Sequence, residues 1–241
     1  MRGLKLFGLS LLLCAGTANA QVSATVTAVS DYDFRGVSLS GTDPALQGSV
    51  DWAHDSGFYA GAWASSGLDF DSVCGDDGES PCESDYEIDV YVGFAGGDEE
   101  GLTYDGGIVY YTYWPDDDEL DYPEAYFGLG YGMFGGKLWY TNDYNNRDID
   151  AWYLEGNASI ELPQGFTLNL HAGYNFGDYW KDVNGDETID WSVGVGYTVA
   201  HFDLELKYVD NQTDVETEAD VFNNEGRAIL SVSTTFPWSN E

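Results

Sequence analysis

Thr188-Ile189-Asp190-Trp191-Ser192-Val193-Gly194-Val195-Gly196-Tyr197-Thr198-Val199-Ala200 alternates without a break. Ile189, Trp191, Val193, Val195, Tyr197 and Val199 fall on one side, and Asp190, Ser192, Gly194, Gly196 and Thr198 on the other. A helix would scatter both sets around its circumference, whereas a strand separates them. The same period runs through Phe166, Leu168, Leu170, Ala172, Tyr174 and Phe176 against Thr167, Asn169, His171, Gly173 and Asn175. It recurs in Trp152, Leu154, Gly156, Ala158, Ile160 and Leu162 against Tyr153, Glu155, Asn157, Ser159 and Glu161.

Extended along the chain, the pattern predicts an all-β protein of about twelve antiparallel strands. They lie near 22–35, 44–54, 57–70, 85–96, 101–114, 122–134, 136–143, 148–162, 165–178, 188–200, 202–210 and 225–236. The intervening connections alternate long and short almost throughout. That is the pattern of outer-membrane barrels, whose periplasmic turns are brief and outer loops extended. An even strand count returns both termini to the periplasmic side.

Alternation alone does not distinguish a soluble sandwich from a membrane barrel, but aromatic placement does. Tyr32, Phe34, Phe70, Tyr86, Trp114, Trp152, Phe176 and Tyr208 gather at the outer strand ends. Trp52, Phe58, Phe94, Tyr104, Phe166, Phe202 and Phe236 gather at the other ends, with mostly aliphatic residues and glycine between. Two aromatic girdles around an aliphatic band match the two lipid–water interfaces, so a single transmembrane barrel over 21–236 is expected. Ala228, Leu230, Val232, Thr234 and Phe236 form a last strand of the kind such barrels present to the outer-membrane assembly machinery. A five-residue tail, 237–241, follows.

The first twenty residues read as a cleaved secretory signal. Arg2 and Lys5 are basic, Leu6 to Leu13 is apolar, and Ala18-Asn19-Ala20 is a small-residue cleavage motif. Cys14 follows Leu13, which disfavours lipoprotein processing. Cys74 and Cys82 remain as an even pair in an exported chain, the pattern of a small loop-tying disulfide. With 43 Asp and Glu against 8 Lys and Arg, net charge −35, the chain is unsuited to nucleic acid.

The segment 29–70 carries a family likeness. It contains Ser30-Asp31-Tyr32-Asp33-Phe34-Arg35-Gly36-Val37-Ser38, then Pro44-Ala45-Leu46-Gln47-Gly48, then Asp51-Trp52-Ala53-His54-Asp55-Ser56-Gly57-Phe58. Together with Glu87-Ile88-Asp89, Tyr110-Tyr111-Thr112-Tyr113 and Leu162-Pro163-Gln164-Gly165, it resembles the TorF porin family. The resemblance implies an outer-membrane barrel with a pore role.

Acidic residues crowd the expected outer loops at 70–85, 114–123 and 210–225. Such a rim would enrich cations, or merely stay solvated. Inward-facing polar positions are Asp31, Asp33, Arg35, Glu87, Asp89, Asp105, Glu155, Glu161, His171, Asp190, Asp203, Glu205, Lys207 and Arg227. Lys207 and Arg227 are placed to pair with Glu205 across the ladder. The inward set either lines a cation-preferring pore or forms a paired network that plugs the barrel. Twelve strands lie between the filled eight-stranded and open sixteen-stranded cases.

Asp182, Asn184 and Asp186 have the odd-position oxygens of a calcium loop. Glu187 stands where that loop needs glycine and Val193 where it needs glutamate, so an acidic hairpin turn accounts for them better. No cofactor is expected. Catalysis would need a nucleophile, a base and an orienting group together. His54 and His201 fall at turns, and His171 faces inward with no serine partner. The expectation is a diffusion channel for small neutral or cationic solutes, in contact with outer-membrane lipid and lipopolysaccharide. The alternative is a closed structural or adhesive barrel acting through its acidic loops.

Overall fold

Alternating faces dictate pairing: each strand satisfies its backbone laterally, and only closure removes the last two edges. The computed structural model describes residues 21–69, 85–98, 101–115, 120–182, 185–212 and 225–238. Residues 1–20, Phe70, Cys74, Cys82 and Asn184 lie outside them. The barrel strands are β1 (Gln21–Val29), β4 (Ala45–Ala53), β5 (Phe58–Ser66), β6 (Tyr86–Gly97), β7 (Leu102–Trp114) and β8 (Tyr122–Tyr131). They continue with β9 (Phe134–Thr141), β10 (Ala151–Glu161), β11 (Phe166–Phe176), β12 (Thr188–Val199), β13 (Phe202–Gln212) and β14 (Arg227–Phe236). Each pairs antiparallel with its sequence neighbour, and β14 pairs with β1 to close a twelve-stranded barrel. The closing register runs from Ala24 opposite Phe236 to Val29 opposite Ser231.

The short connections, such as His54 to Gly57, share one end of the barrel with Gln21 and Phe236; this is the turn end. The long connections share the opposite, loop end. Strand β6 shows the radial division plainly. Tyr86, Ile88, Val90, Val92 and Phe94 are exposed on the outside, while Glu87, Asp89 and Tyr91 are buried within. The same outward apolar set continues as Leu102, Tyr104, Ile108 and Tyr110 on β7 and Phe127 and Leu129 on β8. Among the described residues no helix is long and apolar enough to cross a membrane.

The expected strand at 22–35 is the main departure. β1 ends at Val29, and the chain then turns into the barrel as a small hairpin of β2 (Asp33–Phe34) and β3 (Val37–Ser38), separate from the barrel sheet. Tyr32 is therefore buried and Phe34 packs against the interior cluster, so neither belongs to the outer girdle. Tyr86, Trp114 and Tyr208 do stand exposed near the loop end, as do Trp52, Phe58, Phe94, Tyr104, Phe166, Phe202 and Phe236 near the turn end. Beyond Phe236, Trp238 folds back along the barrel. Its indole Nε1 donates to Thr234 Oγ1 at 2.9 Å, and its ring stacks on His201 at 4.8 Å.

Candidate functional site: the lumen and its inward hairpin

Inside the barrel, tyrosines and glycines are matched. Tyr59 faces Gly93, Tyr91 faces Gly61, and Tyr126 faces Gly107 in direct cross-strand register. A side chain on any of those glycines would meet the opposite tyrosine. The rings thus lie along the wall over the space that glycine leaves, and their hydroxyls reach carboxylates. Tyr59 donates to Asp105 at 2.6 Å, and Tyr91 donates to Asp51. Tyr111 donates to Glu124 at 3.0 Å, and Tyr32 to Glu87 at 2.8 Å. A tyrosine suits this role because its body packs while its tip hydrogen-bonds.

The lumen has two unlike halves. Toward the turn end, inward residues on three adjacent strands are small and polar: Ser23, Thr25 and Thr27 on β1, Ser49 on β4, Ser231 and Ser233 on β14, whereas Tyr59 lines β5. Asn157, Asn169 and His171 continue that partly accessible lining. Toward the loop end, the hairpin and an aromatic cluster fill the space. Tyr122, Tyr144 and Tyr179 follow in contact, with ring centroids 4.9 and 4.5 Å apart. Tyr144 belongs to the β9–β10 connection, and Tyr179 and Trp180 to the short helix α1 (Asp178–Asp182).

Charge pins the hairpin at its root and at its tip. Arg227 of β14 donates from Nε to Asp31, from Nη2 to Asp33 at 2.8 Å, and from Nη1 to the Gly36 carbonyl at 3.0 Å. Lys207 of β13 bonds Asp33 at 2.8 Å. These pairs replace the expected ones with Glu205. The reason is geometric: the hairpin brings Asp31 and Asp33 into the lumen, within reach of both cations. Glu205 instead accepts from Asn169 Nδ2 at 2.5 Å. At the tip, Arg35 bonds Glu124 at 2.6 Å, and Asn211 Nδ2 donates to the Arg35 carbonyl at 3.2 Å.

The other inward residues fall into smaller groups. Lys137 bonds Asp105 at 3.1 Å and lies 4.5 Å from the Tyr126 ring centroid. Trp139 Nε1 and Asn157 Nδ2 each donate to Glu155, both at 2.9 Å. His171 lies 2.7 Å from Asn157 Oδ1 and 2.8 Å from Asp190 Oδ1, with the Tyr153 hydroxyl 3.0 Å away. These contacts give both ring nitrogens of His171 a hydrogen-bond partner inside the lumen. Glu161 and Asp203 stand exposed at the turn end, away from the hairpin.

Glu87, Asp89 and Glu124 are buried, and each keeps one carboxylate oxygen without a hydrogen-bond partner among the described residues. Glu124, like Asp51, is an interior acid that strand alternation did not single out. It shares its face with Tyr122 and Tyr126, and tyrosines there concealed which side was the wet one. In the β11–β12 connection, Glu187 is engaged by the Tyr174 hydroxyl and by Lys181 at 3.0 Å. Those two partners, in that order, hold the Glu187 carboxyl below its usual range. Asp182 and Asp186 lie in the same connection, whose Asn184 lies outside the described residues. Among the described residues, no group of three or more His, Cys, Asp or Glu could hold a metal ion.

A family model described as "Bacterial protein of unknown function (Gcw_chp)" matches residues 14–236. No curated protein matches the sequence. Among solved structures, the chain is similar to the KdgM porin, at 9% identity and TM-score 0.54, over 91% of this chain and 99% of that one. A second KdgM structure is in complex with disordered oligogalacturonate. The NanC porin aligns at 9% identity and TM-score 0.55, over 90% of this chain and 100% of that one. A TodX mutant, a monoaromatic hydrocarbon channel, aligns at 9% identity and TM-score 0.52, over 91% and 90% of the two chains. At these identities the likeness is one of fold.

Proposed function

The chain belongs to the Gcw_chp family of bacterial proteins of unknown function, and on that footing we propose that it is a porin-like channel of the outer membrane. The observation that carries the reading is the radial inversion of polarity. A closed barrel with a continuous apolar exterior and a hydrogen-bonded interior fits lipid outside and water within. The three solved barrels of like fold are all described as porins or channels, which supports a pore role and the outer-membrane setting. An exported precursor and the TorF likeness at 29–70 point the same way.

The solutes it passes are small, and neutral or cationic. Asp51, Asp105, Glu155, Asp203 and Glu205 stand on the accessible part of the inner face, answered there chiefly by Lys137 and His171. A carboxylate-rich lumen raises the local concentration of cations and repels anions. A polyanion such as oligogalacturonate, which a KdgM structure holds, suits this interior poorly. Planar-bilayer recording across a KCl gradient tests the reading. Discrete steps with a cation-favouring reversal potential support it; a folded barrel that inserts without conducting removes it.

One observation favours the alternative of a closed barrel working through its loops. The inward hairpin and the ring cluster at Tyr122, Tyr144 and Tyr179 occupy the loop-end half of the lumen. Conduction therefore runs past the hairpin or requires it to move.

A further inference from the structure

The two-residue turn at the tip of the inward hairpin places both central residues at positive φ, Arg35 at 53° and Gly36 at 84°. Gly36 has a reason: a side chain there would run into Asp190 and Asn211. Arg35 takes it because a two-residue turn of this kind needs positive φ at both central residues, a conformation that costs an arginine more than it costs glycine or asparagine. What holds it is a socket. The guanidinium carbon lies 4.4 Å from the Tyr153 ring centroid, 4.7 Å from Phe34 and 5.8 Å from Trp139. Nη2 bonds Glu124 Oε2 at 2.6 Å, and the Tyr111 hydroxyl orients that same oxygen at 3.0 Å.

Aromatic faces around a carboxylate are the general means of recognising a delocalised organic cation. Tyr153 and Trp139 come from the barrel wall, as do Glu124 and Tyr111, whereas Phe34 comes from the hairpin itself. The barrel thus supplies most of the socket and the hairpin supplies the cation. Arg35 uses it incompletely. Its side chain is 7% exposed, yet Nη1 has no hydrogen-bond partner among the described residues, and Glu124 Oε1 has none either. A guanidinium free of the hairpin backbone could turn to present two N–H groups to both oxygens. Asp31 and Asp33 at the root stay anchored by Arg227 and Lys207, so withdrawal of Arg35 need not release the whole segment. Displacing the tip also breaks the bonds from Arg227 Nη1 to the Gly36 carbonyl and from Asn211 to the Arg35 carbonyl.

We propose that this socket is a binding site for small guanidinium-class cations, with Arg35 as its tethered occupant, and that free guanidinium compounds displace the hairpin tip. Displacement would widen the loop-end half of the lumen, a consequence that rests on the channel reading above; the binding itself does not. The test uses the full chain in detergent micelles, titrated calorimetrically with methylguanidinium chloride against NaCl of equal ionic strength. Arg35→Ala should bind methylguanidinium saturably, and at least about tenfold more tightly than the unsubstituted chain, whose socket is already filled. Adding Glu124→Gln should weaken that binding by about tenfold or more, as expected for loss of a charge-assisted pair. Equal affinity in Arg35→Ala and the unsubstituted chain, or no effect of Glu124→Gln, overturns the proposal. Should Arg35→Ala not fold, amide exchange of Val37, which pairs with Phe34 beside the tip turn, decides instead in the unsubstituted chain. Faster exchange with methylguanidinium supports the socket, and unchanged exchange overturns it. Binding in micelles by a barrel silent in bilayers would sink the channel reading and leave the socket standing.

Discussion

Tyr91 and Gly61 face each other across the β5–β6 ladder, and the tyrosine ring occupies the space a side chain at position 61 would need. The Tyr91 hydroxyl then reaches Asp51 on the next strand. Gly61→Val would force that ring off the wall. Overpacking of this kind costs about 1–3 kcal/mol, so the urea midpoint of the folded barrel should fall accordingly. Gly156→Val is the contrasting substitution, because nothing lies within 4 Å of a side chain there. Its unfolding free energy should stay within about 0.5 kcal/mol of the unsubstituted value.

Arg227 ties the hairpin to β14, at its root through Asp31 and Asp33 and at its tip through the Gly36 carbonyl. Arg227→Ala leaves Asp31 buried without its cation, while Asp33 keeps Lys207. Removing one partner of a buried pair costs about 3 kcal/mol. The loss should be local. Exchange of the Leu39 amide, which donates to the Tyr32 carbonyl at 2.8 Å, should accelerate, with barrel amides such as Val90 unchanged.

The outward side of β7 meets acyl chains in this account, and Ile108 is 53% exposed there. Ile108→Arg should destabilise folding into phospholipid vesicles by about 2–4 kcal/mol, the cost of arginine near the bilayer midplane. Ser49→Arg, on the partly accessible inner face, should cost about 1 kcal/mol or less. Equal costs at the two positions would remove the distinction between the faces.

Asp51, Glu155 and Glu205 stand on the inner face with neutral hydrogen-bond donors: Tyr91, Trp139 with Asn157, and Asn169 respectively. Changing all three to their amides keeps the shapes and removes three negative charges. The reversal potential in a KCl gradient should move toward zero, more at low salt than high. An unmoved reversal potential would take these residues out of the permeation path.

The barrel itself was legible because lipid contact demands an unbroken apolar side, and period two is the only way a strand supplies one. Strand limits such as 188–200 against the observed Thr188–Val199 differ by a residue at one end. The hairpin was not legible. Tyr32 and Phe34 resume the even-numbered apolar series of Val22, Ala24, Val26 and Ala28, so Ser30 reads as a single polar interruption at the point where the chain leaves the wall. The turn that then reverses it inside the lumen is Arg35-Gly36, and arginine gives far less warning than the Asn-Gly or Asp-Gly that such turns favour. The interior tyrosines hid for a related reason. In Tyr110-Tyr111-Thr112-Tyr113-Trp114 aromatics lie on both faces, Tyr111 and Tyr113 inside with Tyr110 and Trp114 outside. Ion pairs between the hairpin and β8, β13 and β14 join residues far apart in sequence, and alternation within single strands carries no sign of them.

Site-directed spin labelling along β6, in a chain reconstituted into phospholipid bilayers, measures the arrangement most directly. Labels at 88, 90 and 92 should be readily relaxed by oxygen dissolved in the acyl region and shielded from a water-soluble nickel reagent. Labels at 87, 89 and 91 should show low collision with oxygen, giving an accessibility profile of period two. A flat profile, or nickel accessibility at 88, 90 and 92, would contradict it.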